Sequence, residues 1–204
     1  DRQMAVDDSL TLSKGKKRPA NIAFDDSADI PFCLKALNTS ATFGTVENRQ
    51  KGALIIDDSK TIRKVFDRAL TGLGYEVKQA ENGLRGLTEL KSTLFDLVLC
   101  DFLMPVMDGL DCVQQYREWE RSHRQYFQQY IVGISAHADN KEAARGIQAG
   151  MHKFISKPLP LKVLKALVSS EEVQACSCLL DQLCQKEEVA PYCLFKNDKK
   201  NDES

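Results

Sequence analysis

Four short apolar runs in this sequence each end in polar residues whose types suit phosphate or metal chemistry. These polar ends are, in chain order, Asp57-Asp58, Asp101, Ser135 and Lys157. Runs this short and this rich in β-branched residues are typical of buried strands in a parallel sheet. Because ligands of an open parallel α/β sheet bind outside the carboxyl ends of its strands, we expect these polar groups at one edge. Three carboxylates, a hydroxyl and an ammonium group suit a hard cation and a phosphoryl group.

The bulk properties of the chain indicate one ordinary domain with flanking segments. It has 204 residues, of which 43% are hydrophobic, and a formal net charge of −1. That charge gives no general reason to bind nucleic acid or an anionic membrane. No apolar stretch approaches the roughly 18 residues of a membrane-spanning helix, and no signal peptide is visible. We therefore expect a soluble protein, and the missing initiator Met leads us to expect a piece of a longer chain.

The number and positions of the cysteines indicate the cellular compartment of the protein. Their number, seven, is odd, and Cys100 falls inside a predicted buried strand, so a disulfide framework is not expected. Reduced thiols predict a cytoplasmic location, with the nucleus as the alternative.

The chain divides into three parts by pattern. Residues 1–50 are polar without a sustained period, and we predict a linker or disordered segment there. Over residues 51–170 strand-like and helix-like segments alternate, with strands predicted at 53–57, 75–80, 95–101, 130–136 and 152–156. Residues 171–204 form a C-terminal extension. One amphipathic helix is expected there before a disordered tail, from the spacing of Val173, Cys176, Leu180 and Leu183.

Alternation of this kind predicts an α/β fold, in which helices cover both faces of a parallel sheet. Right-handed crossovers restrict the topology further. Five strands of this sort most often take the order 2-1-3-4-5 of the doubly wound, flavodoxin-like (βα)5 fold, whose switch point lies between strands 1 and 3. That gap separates Asp57-Asp58 from Asp101, so the topology and the candidate chemistry lead to the same place.

The tripeptide Asp-Asp-Ser occurs three times and carries little weight by itself. It stands at 7–9, 25–27 and 57–59. Only the third copy is followed, at a suitable distance, by an apolar run that ends in aspartate, at Asp101. Three carboxylates at one edge repel one another unless a cation lies among them. Mg²⁺ is the cation expected, because it usually takes one or two carboxylates, a backbone carbonyl and several waters.

Ser135 and Lys157 complete the candidate site. A serine hydroxyl can donate a hydrogen bond to a phosphoryl oxygen, although Ser135 alone would be an ordinary strand-end serine. A lysine ammonium is a compact charge suited to a phosphate oxygen. Pro158 fixes the backbone directly after Lys157, which argues against an ordinary solvated lysine, and an X-Pro bond is one that can be cis.

Taken together, these residues resemble a known family. The stretch from about residue 52 to 169, roughly six tenths of the chain, is similar to the receiver domain of two-component response regulators and hybrid histidine kinases. Each motif is weak alone, but the combination is specific. The motifs are Ile55-Ile56-Asp57-Asp58-Ser59, the run from Asp101 through Met104-Pro105 to Asp108-Gly109, Ser135-Ala136, and Phe154-Ile155-Ser156-Lys157-Pro158.

The resemblance implies roles for the residues around the metal. Asp101 is implied to be the phosphoacceptor, which attacks the phosphoryl group of a phosphohistidine on a partner protein. Asp58 and Asp101 are implied to bind Mg²⁺ directly and Asp57 through water. The backbone carbonyl of Leu103 would be the third protein ligand. The implied partners are a histidine kinase or histidine phosphotransfer protein and a downstream protein target.

The resemblance also implies a switch. Lys157 would pair with a phosphoryl oxygen, and Ser135 would move to bond the phosphoryl group once it arrives. Phe154 matches the aromatic position that turns inward as Ser135 moves, and it lacks the hydroxyl of the tyrosine often found there. The expected protein is a signalling module rather than an enzyme, since it catalyses only its own phosphorylation and dephosphorylation.

Two alternatives stay open at this stage. A phosphatase of the haloacid dehalogenase type also uses a strand-end aspartate, but it usually needs a second aspartate two residues later, where this chain has Leu103. The domain could instead be a docking module in which phosphorylation is secondary or lost. The intact acidic site counts against this, because a carboxylate cluster without a function only costs stability. The chain is expected to be either free-standing or the receiver part of a hybrid sensor kinase.

Overall fold

The computed structural model describes residues 49–136 and 140–184. The linker expected over residues 1–50, except for its last two residues, and the expected C-terminal tail lie outside these ranges. The strands are β1 Lys51–Ile56, β2 Tyr75–Ala80, β3 Leu97–Asp101, β4 Ile131–Ser135 and β5 Lys153–Ser156. The helices are α1 Lys60–Thr71, α2 Gly83–Ser92, α3 Gly109–His123, α4 Asn140–Gln148, α5 Leu161–Val168 and α6 Glu171–Leu183. None of these helices is both long enough and apolar enough to cross a bilayer.

The five strands form one parallel sheet in the order β2-β1-β3-β4-β5, which confirms the predicted fold class and strand order. Ile56 at the end of β1 lies beside Ala80 of β2 and Cys100 of β3. Asp101 pairs in register with Ile134 of β4. Because the strands end together, the polar residues that follow them gather at the same edge of the sheet.

Two apolar clusters fill the two faces of the sheet. Successive residues of β1 alternate between them, so that Ala53 and Ile55 belong to one cluster, and Leu54 and Ile56 to the other. α1, α5 and α6 cover the first cluster, and α2 and α3 cover the second. A strand buried on both sides needs apolar residues at every position, which is why these strands form continuous apolar runs in the sequence.

Ser59 begins α1 directly after the acidic pair. Its hydroxyl accepts a hydrogen bond from the backbone N–H of Ile62 at 3.4 Å, as expected for a residue that caps the first turn of a helix. The inner face of α1 then buries Phe66 and Leu70 against the sheet. The chain therefore leaves the carboxyl edge in a fixed direction immediately after β1.

The sixth helix packs on the core beyond the five strand-helix units. Val173, Cys176, Leu180 and Leu183 are buried and belong to the same apolar cluster as β1 and α1. These are the residues whose spacing predicts an amphipathic helix. α6 is therefore part of the packed core and not a surface appendage.

Arg49 ties the segment before β1 to α6. Its guanidinium group donates to both carboxylate oxygens of Asp96, at 2.5 and 2.9 Å, and to Asp181 of α6 at 2.8 Å. Asp96 is fully buried and also accepts the backbone N–H of Gly52 at 2.7 Å. A buried carboxylate needs such partners, because an unpaired buried charge is strongly unfavourable. This charge cluster closes the amino ends of β1 and β3.

The cysteines correct one expectation from the sequence. Cys100, Cys112 and Cys178 are reduced thiols, whereas Cys184 is disulfide-bonded. The expectation of reduced thiols throughout is therefore wrong at Cys184. Sequence spacing does not show which thiols come within bonding distance in the folded chain.

Replacing Arg49 with methionine removes the charge while it keeps much of the side-chain length. We expect the free energy of unfolding to fall by about 3 kcal/mol, because loss of one partner leaves the buried Asp96 charge uncompensated. Urea denaturation followed by circular dichroism measures this change. The matched control is Arg85→Met at an exposed position of α2, which should change stability by less than about 0.5 kcal/mol. Equal losses in the two variants would contradict the role given to Arg49.

Candidate functional site

Three aspartates meet at the carboxyl edge of the sheet. Asp57 and Asp58 follow β1, and Asp101 ends the neighbouring strand β3. One carboxylate oxygen from each of the three lies within 4.8 Å of the others. Asp57 and Asp101 are buried, whereas Asp58 is exposed. The structure thus brings together the three carboxylates that sequence reasoning placed at the switch point.

The ammonium group of Lys157 lies between two of these carboxylates. Its Nζ is 2.8 Å from Asp57 Oδ2 and 2.8 Å from Asp101 Oδ2. The peptide bond from Lys157 to Pro158 is cis, and the Lys157 N–H donates to the carbonyl of Ser135 at 2.7 Å. That hydrogen bond ties the end of β5 to the end of β4, so the lysine that directly follows the edge strand reaches the centre of the site.

The charges of this cluster do not balance. Burial raises the pKa of Asp101 and the charge of Asp57 adds to the rise, while Lys157 opposes it without cancelling it. Burial lowers the pKa of Lys157, but its hydrogen bonds to Asp101 and Asp57 outweigh that effect, and the pKa of Lys157 is raised overall. Among Lys157 and the three aspartates, three negative charges face one positive charge, an excess of two.

The donor set fits a hard divalent cation. Its acidic donors are all carboxylate oxygens, which Mg²⁺ prefers, and a charge of two would match the negative excess. Asp58 is exposed, so water can reach the cluster and complete the coordination of an ion there. Leu103, whose carbonyl was the expected third ligand, lies two residues beyond Asp101 in the loop that follows β3, and its side chain is exposed.

Arg63 is a site residue that sequence reasoning missed. Its guanidinium group donates to the backbone carbonyl of Asp57 at 2.6 Å and to that of Asp58 at 3.1 Å. The Oδ1 atom of Asp57 also accepts the N–H of Ser59 at 2.8 Å. These bonds hold the acidic pair in place at the strand end. The signal in the sequence was weak, because an arginine on the first turn of a helix is most often solvated.

Gly109 allows α3 to begin directly behind the phosphoacceptor candidate. A side-chain carbon at this position would overlap the carbonyl oxygen of Asp101. The Gly109 N–H donates to the carbonyl of Phe102 at 3.0 Å, and the Asp108 side chain accepts the N–H of Asp111 at 2.8 Å to cap α3. Only glycine permits so close an approach. Asp108-Gly109 is part of the receiver motif found in the sequence, but the motif does not reveal this steric requirement.

The loop from β3 to α3 contains a strained turn. The Met107 N–H donates to the carbonyl of Pro105 at 2.9 Å, and Val106 between them has a φ of 74°. This is the rare, positive-φ form of the γ-turn, which β-branched residues disfavour. Val106 is also 80% exposed, so its side chain gains little from packing. Such strain persists where the surrounding structure fixes the backbone, as it does here beside Asp101.

Ser135 is the last residue of β4 and lies at the same edge of the sheet, where it is only 1% exposed. Its Oγ donates a hydrogen bond to Oε2 of Glu142, in the first turn of α4, at 2.8 Å. The backbone of Ser135 therefore lies where it was expected. Its side chain, however, bonds to a residue that sequence reasoning did not single out.

The ring of Phe154 is packed inward. It meets the ring of Phe102 edge-on, with the centroids 5.4 Å apart and the planes at 87°. The ring also fills a slot beside Gly133 of β4 and Gly146 of α4, where an added side-chain carbon would lie 2.7 and 2.9 Å from it. Phe154 thus contacts both the strand that carries Ser135 and the helix that carries Glu142.

Comparison with known proteins identifies the family. The family model described as the response regulator receiver domain matches residues 53–169, more than half of the chain. The chain belongs to this family. The resemblance found in the sequence is thereby confirmed.

The receiver domain is similar to parts of much longer curated proteins. It is 36% identical over 116 residues to the sensor protein EvgS of Escherichia coli K12, which covers 57% of this chain and 9% of that protein. It is 32% identical over 124 residues to the sensor histidine kinase GacS of Pseudomonas protegens, which covers 61% of this chain and 13% of that one. The chain thus spans about a tenth of the length of these relatives.

Solved structures share the fold of the receiver domain. The chemotaxis protein CheY4 of Vibrio cholerae matches with a TM-score of 0.54 and 27% identity, over 59% of this chain and 97% of that one. A chain of the CheX–CheY–BeF3–Mg²⁺ complex of Borrelia burgdorferi matches with a TM-score of 0.52 and 28% identity, over 58% of this chain and 87% of that one. Each match covers about six tenths of this chain.

Replacing Val106 with glycine should stabilise the receiver domain by about 1 kcal/mol. Glycine adopts a positive φ without strain, and this gain exceeds the extra entropy that glycine loses on folding. Urea unfolding of the two proteins measures the difference. Val163→Gly, at an exposed position of α5, is the matched control and should be destabilising, because glycine disfavours helix. A loss of stability in Val106→Gly would show that the turn is not strained.

Proposed function

We propose that this receiver domain accepts a phosphoryl group on Asp101 from a phosphohistidine of a histidine kinase or a histidine phosphotransfer protein. The observation that carries the proposal is the position of Lys157, whose ammonium group lies 2.8 Å from the carboxylates of both Asp57 and Asp101. Phosphoryl transfer depends mainly on positioning and on neutralising the charge of the phosphoryl oxygens. A buried carboxylate beside a fixed ammonium group, within an acidic cluster that can hold a cation, supplies both.

In the proposed reaction, an oxygen of the Asp101 carboxylate attacks the phosphorus atom. A P–O bond forms as the P–N bond to the imidazole breaks, and its electron pair stays on the histidine nitrogen, which takes up a proton. Asp101 must be ionised to attack, and its hydrogen bond to Lys157 favours the ionised form against the effect of burial. Lys157 is then close enough to neutralise an oxygen of the transferred group.

Mg²⁺ is the proposed cofactor, and when bound it would supply charge neutralisation at the phosphoryl oxygens. We assign Asp58, Asp101 and the backbone carbonyl of Leu103 as its direct ligands. Asp57 is assigned an indirect role through water, as the resemblance to receiver domains implies. Its two oxygens accept hydrogen bonds from the Ser59 N–H and from Lys157.

Ser135 and Phe154 are proposed to convert the new charge on Asp101 into a change at the surface. The Ser135 hydroxyl would turn to bond a phosphoryl oxygen. Phe154 contacts both β4 and α4, so it can pass a rearrangement of side chains at the end of β4 to the helix. α4, β5 and α5 would then present an altered face to a downstream protein.

The wider setting is also a proposal, because the chain spans about a tenth of its curated relatives. We propose a phosphorelay module without a further enzymatic activity, either free-standing or the receiver part of a hybrid sensor kinase. A cytoplasmic location is proposed from the reduced thiols Cys100, Cys112 and Cys178. The disulfide at Cys184 counts against it. A net charge of −1 gives it no general affinity for nucleic acid or anionic membrane. The phosphatase alternative lacks its second aspartate, since Leu103 stands in that position, and the matches reported above give it no support.

Incubation with acetyl phosphate and Mg²⁺ should add one phosphoryl group to the protein, and Asp101→Asn should abolish the addition. The amide of asparagine lacks the negative charge that makes the carboxylate a nucleophile. Intact-mass spectrometry measures the gain. The matched control is Asp111→Asn, which removes an exposed carboxylate from the first turn of α3 and should be phosphorylated like the wild type.

A phosphoryl group that persists in Asp101→Asn would place the acceptor elsewhere. A wild-type protein that binds Mg²⁺ but acquires no phosphoryl group from either acetyl phosphate or a phosphorylated histidine phosphotransfer protein would favour the docking module instead.

Mg²⁺ should also stabilise the folded protein, because a ligand that binds only the folded state raises its stability by mass action. At a concentration of 100 dissociation constants the gain is about 2.7 kcal/mol, and the thermal midpoint should rise by about 5–10 °C. Calorimetry at constant ionic strength measures the rise. Asp58→Asn should reduce it, whereas Asp111→Asn should leave it unchanged. An unaltered midpoint in the wild type would count against the metal site.

A further inference from the structure

The hydroxyl of Ser135 is held by a carboxylate on the neighbouring helix. Its Oγ donates to Oε2 of Glu142 at 2.8 Å. We propose that Glu142 is a positioning residue, which keeps Ser135 in a resting orientation and thereby opposes phosphorylation of Asp101. This inference rests on the proposed function, since it concerns the regulation of the same site.

The backbone of Ser135 is fixed, so only its side chain is able to respond. Its carbonyl accepts the Lys157 N–H at 2.7 Å, and the residue pairs in register with Ser156 of β5. The preceding residue, Ile134, pairs with Asp101. A buried serine held in this way redirects its hydroxyl only by rotation about χ1, between discrete rotamers.

A serine hydroxyl carries one proton and donates one hydrogen bond at a time. While Ser135 donates to Glu142, it does not donate to a phosphoryl oxygen on Asp101. The bond from a hydroxyl to a carboxylate is charge-assisted and belongs to the stronger class of hydrogen bonds. An arriving phosphoryl group therefore competes with Glu142 for the same proton, and the competition lowers the fraction of molecules that are ready to stabilise it.

Glu142 is well placed for this role. It lies half-buried in the first turn of α4, where the helix dipole favours a negative charge. When Ser135 turns toward Asp101, Glu142 loses a hydrogen-bond donor. This loss changes the contacts of the first turn of α4, which carries Glu142. The same bond that restrains the site therefore connects it to the helix of the proposed output face.

The position of the Phe154 ring indicates that the resting state is restrained at Ser135 and not at Phe154. The ring already fills its slot beside Gly133 and Gly146 while Ser135 is bonded to Glu142. Inward packing of Phe154 therefore does not require Ser135 to have left Glu142. The rotation of Ser135 is the step that remains, and Glu142 is a group that opposes it.

The test is the rate of phosphorylation by acetyl phosphate with Mg²⁺, followed by intact mass. We expect Glu142→Ala to react about tenfold faster than the wild type, because a hydrogen bond to a charged group is worth at least that factor. Glu142→Gln keeps an acceptor without the charge and should show a smaller increase. In a Ser135→Ala background, adding Glu142→Ala should change the rate by less than about twofold, as a double-mutant cycle requires if Glu142 acts through Ser135.

Glu171→Ala is the matched control, because Glu171 is an exposed carboxylate in the first turn of α6, and its removal should not change the rate. Thermal midpoints of all variants report any general loss of stability, which a purely structural role of Glu142 would produce without faster phosphorylation. Beryllium trifluoride with Mg²⁺ mimics the phosphoryl group. Its affinity for the wild type and for Glu142→Ala compares the two proteins without covalent phosphorylation. Glu142→Ala should bind this mimic more tightly than the wild type.

Equal rates for the wild type and Glu142→Ala would overturn the inference and leave the proposed function intact. A rate increase that persists in the Ser135→Ala background would also overturn it, because Glu142 would then act through its charge alone. A wild-type protein that acquires no phosphoryl group would instead remove the proposed function, and this inference with it.

Discussion

An excess of negative charge, held at the carboxyl edge of a parallel sheet, is the constraint that organises this receiver domain. The strand order places Asp57 and Asp101 side by side, and Lys157, which directly follows the edge strand, lies between them. One ammonium group offsets only one of three carboxylates. The remaining repulsion is electrostatic free energy that a bound cation would relieve, and burial makes it larger than it would be in water. The proposed chemistry depends on that imbalance.

Groups that repel one another stay together only when their surroundings are rigid. Arg63 holds the carbonyls of the acidic pair, Gly109 lets α3 pack directly behind Asp101, and Val106 accepts an unfavourable φ so that the loop can close. Each of these features costs free energy or restricts the sequence. The two apolar clusters, extended by α6 and closed by Arg49, supply the stability that offsets those costs.

Two side-chain contacts join the site to the helix α4. Ser135 bonds to Glu142 at the start of α4, and Phe154 packs between Gly133 of β4 and Gly146 of α4. A packed interface of this kind has few intermediate positions, so a local change in charge is passed on as a choice between discrete side-chain arrangements. In the proposed switch, the receiver domain would keep a fixed fold while one hydroxyl changes its partner.

Periodicity and strand-end residues were enough to predict the strand order and the residue types that gather at the edge, because β-α alternation with right-handed crossovers leaves few topologies. Strand limits differed by a residue or two, as at β3, which begins at Leu97 rather than residue 95. Only the tertiary structure revealed three sets of hydrogen bonds. They run from Arg63 to the acidic pair, from Arg49 to Asp96 and from Ser135 to Glu142. Such bonds depend on distances and rotamers between elements far apart in the chain, and hydrophobic patterning does not encode them.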